Sequence, residues 1–214
     1  NIAGSYCSYV VDCYNMGSIE TVKPGNAAAI SALNWQENEN SYYLESSVGV
    51  PAGAKPADYK NAAALDKQAF ENGKAAYLLD NGGVTGRKKI WGQTDGYPVP
   101  AVPQNNPVYK VTVGVSGPEE GFAGTGVDVN KVEYGGFTAT KGSAVEIYPT
   151  AGKEIKLDYS EKTGYLLNTV SEESRKVKIT VDEEHKSIKF NTNDSDLKID
   201  VNFIKSPEDL KPYY

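Results

Sequence analysis

The chain has 214 residues, enough for one large domain or for two small ones with separate cores. Its formal net charge is −6 and no basic patch stands out, which argues against nucleic acid and anionic membranes as partners. No apolar run approaches the roughly 18 residues of a membrane span. The 21 glycines and 15 tyrosines favour β structure with many tight turns.

The two cysteines, Cys7 and Cys13, lie near the start of the chain. One pair is too few for a disulfide framework or a zinc site, and we expect ordinary buried thiols rather than a bridge. The chain opens at Asn1 in the middle of a pattern, with neither a methionine nor a signal peptide. We therefore expect it to be a segment of a longer protein.

The first part of the chain contains an internal repeat, because residues 1–19 and 29–47 superpose after a shift of 28 positions. A fixed period in this range is typical of solenoids, in which like residues of successive coils stack. Short strands with Gly, Asn and Ser at the corners favour a parallel β-helix, with further coils expected upstream of Asn1. The matched pairs are Ile2 with Ile30, Gly4 with Ala32, Asp12 with Asn40, Cys13 with Ser41, Tyr14 with Tyr42, and Met16 with Leu44.

The segment IAGSYCSYVVDCYNMGSI resembles one copy of the GLUG-type repeat of bacterial surface proteins. In that family a Gly-rich strand is followed by a polar turn and then by NCYNTGSV, and Asp12–Ile19 match this second half. Asn40–Leu44 resembles the NCYYL that ends a last coil. Ala32 and Leu33 depart from the Gly-rich first half, as expected of a degenerate terminal copy. The resemblance implies that residues 1–50 form the end of a β-solenoid.

A short amphipathic helix is predicted between Lys60 and Leu79, after a Gly/Pro/Ala linker. Asp66 is placed to cap its N-terminus, and Phe70 packs one turn later. Gly73 weakens the middle and predicts a kink or two short turns, and Asn81–Gly83 end the helix through a left-handed residue. Such a helix would cover the open core and unpaired edges of a solenoid end.

Three motifs follow one another after the last predicted coil: F-x-x-G-x-A-A-Y-L-L at 70–79, W-G-Q at 91–93 and Y-P-V at 97–99. The same order follows the last GLUG-like coil in many bacterial surface proteins. This resemblance implies that residues 51–106 are a helical cap and a connector rather than a catalytic segment.

Trp91, Gln93 and Trp35 are the candidate ligand-binding residues. Exposed aromatic rings stack on the apolar faces of sugars, and Asp95 and Tyr97 lie beside Trp91 in the sequence. The alternative is that Trp91 packs over the last coil while Gln93 bonds to the backbone of a loop. The sequence leaves both interpretations open.

Residues 107–214 are predicted to form an Ig-like all-β sandwich behind a stiff, proline-rich linker. Many short alternating strands separated by turns are typical of this fold. Val177, Ile179 and Val181 are expected on its inward face. Turns are predicted at Gly135-Gly136, Lys141-Gly142 and Asp182–Lys186. The predicted strands are one from Val108 onwards and then Gly126–Glu133, Gly136–Thr140, Ala144–Tyr148, Glu154–Tyr159, Tyr165–Val170, Lys176–Asp182, Ser187–Asn191 and Leu197–Phe203.

This half also resembles the β-rich repeat modules of bacterial cell-surface proteins, and the resemblance implies a spacer or adhesive domain. The matching residues are Lys141, Gly142, Val145, Ile147, Pro149, Gly164, Tyr165, Leu167, Val170, Leu197, Ile199, Val201 and Phe203.

No catalytic, cofactor-binding or metal-binding set is predicted. His185 is the sole histidine and lies in the polar turn Asp182–Lys186, a poor place to shelter a catalytic base. Asp194–Asp196 lack the glycine-punctuated loop of an EF-hand calcium site. Gly121–Gly126 lack the Lys and Ser/Thr that end a phosphate-binding loop.

The sequence therefore predicts a non-catalytic, structural or adhesive segment of a large secreted or cell-wall-attached bacterial surface protein. Its expected partners are host or environmental glycans or proteins, without a cofactor. A second interpretation is a carbohydrate-binding module. A third is an accessory part of a β-helix polysaccharide-degrading enzyme whose active site lies upstream, because the catalytic side chains of such an enzyme would span several coils.

Overall fold

The computed structural model describes residues 9–20, 29–30, 37–49, 62–81, 89–101, 107–123 and 128–207. The chain is mainly β. It divides into two compact units, Asn1–Val108 and Tyr109–Tyr214.

The first unit contains three sets of parallel strands. The strands are β1 (Tyr9–Val11), β2 (Tyr14–Asn15), β3 (Ile19–Glu20), β4 (Glu37–Glu39), β5 (Ser41–Leu44), β6 (Val48–Gly49) and β7 (Ala62–Leu65). Strand β1 pairs with β4, and β3 pairs with β6. The other three strands form a sheet in the order β2-β5-β7. A 3-10 turn at Glu45–Ser47 separates β5 from β6.

The register of these strands follows the sequence repeat. In the first two pairs the offset is 28 positions, since Tyr9 lies beside Glu37 and Tyr14 beside Tyr42. Ile19 instead pairs with Val48, 29 positions later, and Ser41 with Ala62, 21 positions later. Buried Val10 and Ile30 form a small core between the strands, with Cys13, Tyr43 and Ala62 packed against it. The described residues do not include a closed β-helical coil.

Two short helices follow β7: α1 (Lys67–Glu71) and α2 (Lys74–Asn81). The Asp66 side chain accepts a hydrogen bond from the Ala69 N–H over 2.7 Å, which confirms the predicted N-cap. Gly73 adopts a φ of 92° between the helices, so the predicted break is confirmed. Ala62–Leu65, which precede the predicted cap, form the strand β7. The linker 52–60 and Gly82-Gly83 lie outside the described residues.

An antiparallel hairpin of β8 (Trp91–Gln93) and β9 (Pro98–Pro100) follows the helices, and Pro107 forms an isolated bridge with Gly92 of this hairpin. Gln93 lies opposite Pro98 in this hairpin. The W-G-Q motif is therefore a strand, and the Y-P-V motif begins the strand that pairs with it.

The second unit contains nine described strands in two sheets. The strands are β10 (Val111–Ser116), β11 (Lys131–Tyr134), β12 (Phe137–Ala139), β13 (Ala144–Ile147), β14 (Glu154–Ser160), β15 (Tyr165–Glu172), β16 (Ile179–Asp182), β17 (Ser187–Asn191) and β18 (Leu197–Lys205). One sheet has four strands in the order β13-β10-β18-β15, and the other has five in the order β12-β11-β14-β17-β16. All neighbouring strands are antiparallel except β10 and β18, which are parallel. A 3-10 turn spans Glu119–Gly121.

One apolar core joins the two sheets, because alternate residues of each strand point inward. Ile155 and Leu157 from the five-stranded sheet and Ile199 and Phe203 from the four-stranded sheet are at most 1% exposed. The packing of the two sheets on this single core is consistent with the predicted all-β sandwich.

The edge strand β16 departs from the prediction. Ile179 and Val177 pack against the core, but Val181 is 38% exposed, although it lies on the same face as Ile179 and pairs with buried Ile188. Because β16 is an edge strand, Val181 has a neighbouring strand on one side only. Strands β11 and β16 also begin later than predicted, at Lys131 and Ile179.

Strand β15 contains a bulge that the sequence did not predict. Its pairing with β18 shifts between Leu167 and Thr169. The extra residue, Asn168, allows Leu167 and Val170 both to pack against the core although they are not two residues apart.

Candidate functional site

The connector is built around Tyr14, which belongs to β2. Its ring centroid lies 6.0 Å from that of Phe70 in α1 and 5.6 Å from that of Trp91 in β8. The Tyr14 hydroxyl donates a hydrogen bond to the Pro98 carbonyl over 2.7 Å. Burial, followed by nearby Tyr97, raises the pKa of Tyr14, so the hydroxyl stays a neutral donor. One side chain therefore joins a strand, a helix and a hairpin; we refer to Tyr14, Phe70 and Trp91 as the aromatic cluster.

Gln93 is held by the backbone of α1. Its Nε2 donates to the Phe70 carbonyl over 2.8 Å and more weakly to the Glu71 carbonyl over 3.3 Å. The last carbonyls of a helix have no partner within the helix, so this amide binds groups that would otherwise stay unpaired. Gln93 thus bonds to backbone, as in the packing alternative, but to the end of a helix rather than to a loop, and sugar binding by Gln93 stays a prediction.

Trp91 lies half-buried in a T-shaped contact with Tyr14, at an interplanar angle of 74°. The indole Nε1 is enclosed and donates to no protein atom among the residues that the structure describes. The Trp91 ring is thus partly used in packing within the protein. Trp35, the other predicted aromatic residue, lies outside the described residues.

Tyr97 is the more accessible aromatic side chain of the connector, with 48% of its surface exposed. It ends a tight loop in which Gly96 adopts a φ of 115° and the Thr94 N–H donates to the Tyr97 carbonyl over 3.1 Å. Ile90, at the other end of the hairpin beside Ala101, is 51% exposed. Among these residues, the open ring that sequence reasoning sought at Trp91 is therefore offered by Tyr97.

Asp80, near the end of α2, holds the start of the hairpin. Its carboxylate accepts hydrogen bonds from the Ile90 N–H over 2.8 Å and the Trp91 N–H over 3.1 Å. Burial raises the pKa of Asp80 more than these hydrogen bonds and nearby Lys89 lower it. The Lys89 ammonium lies 4.7 Å from the centre of the Tyr77 ring. These contacts attach the hairpin to α2.

A second cluster, at the corner between β4 and β5, was missed as a unit by the sequence reasoning. Asn40 is 7% exposed, and its Nδ2 donates to Asp12 Oδ1 over 2.7 Å and to the Leu79 carbonyl over 2.6 Å. Its Oδ1 accepts a hydrogen bond from the Tyr42 hydroxyl over 3.0 Å. The alignment of Asp12 with Asn40 in the repeat was the signal that could have identified it. We call Asp12 and Asn40 the corner pair.

His185 and Cys13 both occupy structural positions. Nδ1 of the His185 ring lies 2.9 Å from Asp182 Oδ2, and the backbone N–H of His185 donates to Asp182 Oδ1 over 3.0 Å. These bonds, the backbone one foremost, lower the pKa of Asp182 and close the turn. The Cys13 thiol donates to the Val11 carbonyl over 3.1 Å, and burial raises its pKa, which reduces its reactivity.

Within the described ranges, no group of three or more His, Cys, Asp or Glu side chains is arranged to hold a metal ion. No helix in the same ranges combines the length and the apolar character that crossing a membrane requires. Cys7 lies outside the described residues.

No family model and no curated protein matches the chain. Among solved structures, it is weakly similar to a bacterial adhesin from Mobiluncus mulieris that contains intramolecular disulfide, isopeptide and ester bond cross-links. Two crystal forms match with 13% and 16% sequence identity and TM-scores of 0.36 and 0.33. Each match covers 53% of this chain and 46% of the adhesin chain, so the chain spans about half the length of the adhesin.

Proposed function

We propose that this chain is a non-catalytic, structural or adhesive segment of a bacterial surface protein, secreted or attached to the cell wall. In this proposal the first unit is the capped end of a β-solenoid of the GLUG type, and the second is a sandwich spacer. The observation that carries it is the recurrence of the 28-residue repeat as parallel strand register, with Tyr14 beside Tyr42.

The aromatic cluster supports the assignment of residues 51–106 as a cap. Phe70 is fully buried, and α2 packs against β5, β8 and β9. A solenoid end needs such a cover because its core and its last strand would otherwise be open to solvent and to other chains. The side chains of Tyr14, Gln93 and Asp80 supply the hydrogen bonds that hold the cover in place.

Antibody labelling of the organism that encodes the chain tests the location. We expect an antibody raised against residues 109–214 to label intact cells, and mild protease treatment of those cells to remove the label. A signal that requires permeabilised cells would overturn the proposal. Its non-catalytic part is tested by incubating the purified chain with a panel of polysaccharides, where the release of new reducing ends would contradict it.

A further inference from the structure

The outer face of the five-stranded sheet carries an unfavourable arrangement of charge. Lys156 in β14 lies directly opposite Lys189 in β17, and both side chains point away from the core because their neighbours point into it. Like charges that face each other across strands destabilise a sheet. Lys156 is compensated by Asp158 at 3.2 Å. Lys189 forms no ion pair with any residue that the structure describes, although its charge reaches the Asp182 carboxylate and helps to lower the pKa of that group.

A second lysine adds to this charge. Thr180 in the edge strand β16 pairs with Lys189. Lys178 lies two residues before Thr180 and lines the same recess. Lys178 is exposed and, within the described ranges, also lacks an ion-pair partner. Two ammonium groups without an ion pair therefore lie close together, on β17 and just before β16, in a protein whose net charge is −6.

These lysines line a recess of about 230 Å³. Its other lining residues are Glu154, Thr180, Phe190 and Asn191. The recess is smaller than the roughly 300–1,000 Å³ of pockets that take drug-sized ligands, so it suits a ligand of about one sugar ring. Its lining combines cationic groups with a carboxylate, a hydroxyl and an amide.

The mixture of groups indicates the chemistry of the ligand. The two ammonium groups attract one anionic group, whereas the Glu154 carboxylate repels a ligand that is anionic all round. Glu154, Thr180 and Asn191 are suited to hydrogen bonds with hydroxyl groups, since carboxylates accept them and hydroxyls and amides both donate and accept them. A sugar with a single carboxylate or sulfate group presents this combination.

We propose that the recess on the outer face of β14, β17 and β16 binds an acidic sugar. Lys178 and Lys189 hold its anionic group, and Glu154, Thr180 and Asn191 bind its hydroxyls. This proposal names a class of ligand for the adhesive role proposed above. It rests on that role only for the choice of glycans as probes.

Chemical-shift titration of the ¹⁵N-labelled whole chain tests the site. The probes are methyl glucuronide, glucose 6-sulfate, their neutral analogue methyl glucoside, and acetate and sulfate as anions without a sugar. We expect amide shifts confined to residues 154, 178–180 and 189–191, with at least ten-fold tighter binding of one or both acidic sugars than of methyl glucoside or the simple anions. The glucuronide and the sulfate distinguish a carboxylate ligand from a sulfate ester.

The variant Lys178→Gln/Lys189→Gln is expected to weaken this binding at least ten-fold. Lys198→Gln is the matched control, because Lys198 is an exposed lysine on the other sheet, 3.5 Å from Glu173. Equal binding of the neutral sugar, equal binding of acetate or sulfate, or no shift with any probe would overturn the proposal. Antibody labelling of cells does not depend on this site, so a failed titration leaves the proposed surface location standing.

A stability measurement provides a second readout that needs no ligand. Removing the Lys189 charge relieves its repulsion with Lys156, and the attraction to Asp182 that is lost with it is weakened by solvent. Lys189→Gln is therefore expected to melt at the same temperature as the parent chain or higher. A lower melting temperature would show that Lys189 stabilises the fold, and the argument from repulsion between Lys156 and Lys189 would then be wrong.

Discussion

Asn40 Nδ2 donates a hydrogen bond to Asp12 Oδ1 over 2.7 Å, across 28 positions of sequence. Both residues have left-handed backbone, with φ of 47° for Asn40 and 51° for Asp12. Asn and Asp tolerate this conformation better than other residues with a side chain. The same corner is therefore repeated in two successive rungs of parallel strands, and a side-chain hydrogen bond connects the two copies.

Replacing Asn40 by Asp tests the corner pair. Asn40→Asp keeps the shape of the side chain but removes both donated hydrogen bonds and places a carboxylate beside Asp12. We expect the first unit to lose on the order of 3 kcal/mol, because buried acceptors are left unpaired and like charges meet. Urea unfolding followed by tryptophan fluorescence measures this unit alone, since both tryptophans of the chain lie within Asn1–Val108.

Asn40→Gly is the matched control, because glycine keeps the left-handed backbone and adds no charge. Its loss should be smaller than that of Asn40→Asp. The difference between the two variants should shrink in acid, where protonation of one carboxyl removes the repulsion. Equal losses at all pH values would contradict a direct contact between positions 12 and 40.

Features with local causes could be predicted from the sequence. The Asp66 cap depends on residues within one turn, and the turn at Gly135-Gly136 depends on two residues with φ of 54° and 87° that only glycine adopts easily. The 28-residue register could be predicted because identical or similar residues stack. The mainly β character and the sandwich core follow from the alternation within single strands.

Features that depend on distant neighbours could not be predicted in this way. The pattern around Val181 alternates like a buried strand, and only the edge position of β16 leaves this side chain exposed. The parallel pairing of β10 with β18 and the bulge at Asn168 depend on which strands meet. Trp91 is a residue type that often stacks on sugars, but here it packs against Tyr14, which lies 77 positions earlier in the sequence.

Truncation of Trp91 distinguishes packing from ligand binding in the connector. If the ring mainly packs on Tyr14, Trp91→Ala should destabilise the first unit by about 2 kcal/mol or more, since even a half-buried ring loses apolar contact. Differential scanning calorimetry measures the change without relying on tryptophan fluorescence.

Tyr97→Ala is the control, because its ring is 48% exposed and its removal should cost well under 1 kcal/mol. Unchanged stability in Trp91→Ala, together with loss of a signal on a glycan array, would instead favour the sugar-binding interpretation.

Glu172 should make the second unit sensitive to acid. Its carboxylate is 5% exposed and accepts hydrogen bonds from the Ser174 N–H over 2.8 Å and the Lys176 N–H over 2.6 Å. Burial raises the pKa of Glu172, but these hydrogen bonds and nearby Lys176 outweigh it, so the net shift is downward. Because the folded pKa lies below the unfolded one, the stabilisation is complete above the unfolded pKa and is lost as the pH falls through the folded pKa.

Glu172→Gln should therefore show a weaker loss of stability than the parent chain as the pH falls below the ordinary range of a glutamate. Chemical unfolding of the whole chain at several pH values, followed by NMR through the amide signals of the second unit, measures this. Glu173→Gln is the matched control, because Glu173 is exposed and pairs with Lys198 only at 3.5 Å. The same pH profile in all three proteins would rule out the role assigned to Glu172.

Lys186 combines backbone strain with a close ion pair. It adopts a φ of 47°, its Nζ lies 2.6 Å from Glu161 Oε2, and Glu161 Oε1 accepts a hydrogen bond from the Leu167 N–H over 2.7 Å. Lys186→Ala loses the ion pair and keeps the strain, whereas Lys186→Gly loses the ion pair and relieves the strain. We expect the glycine variant to be more stable than the alanine variant by about 1 kcal/mol in free energy of unfolding. Thermal unfolding monitored by tyrosine fluorescence measures the difference. Glycine should approach the parent chain in stability, because an ion pair that is partly exposed contributes at most about 1 kcal/mol. An alanine variant as stable as the glycine variant would mean that the left-handed conformation at this turn costs nothing.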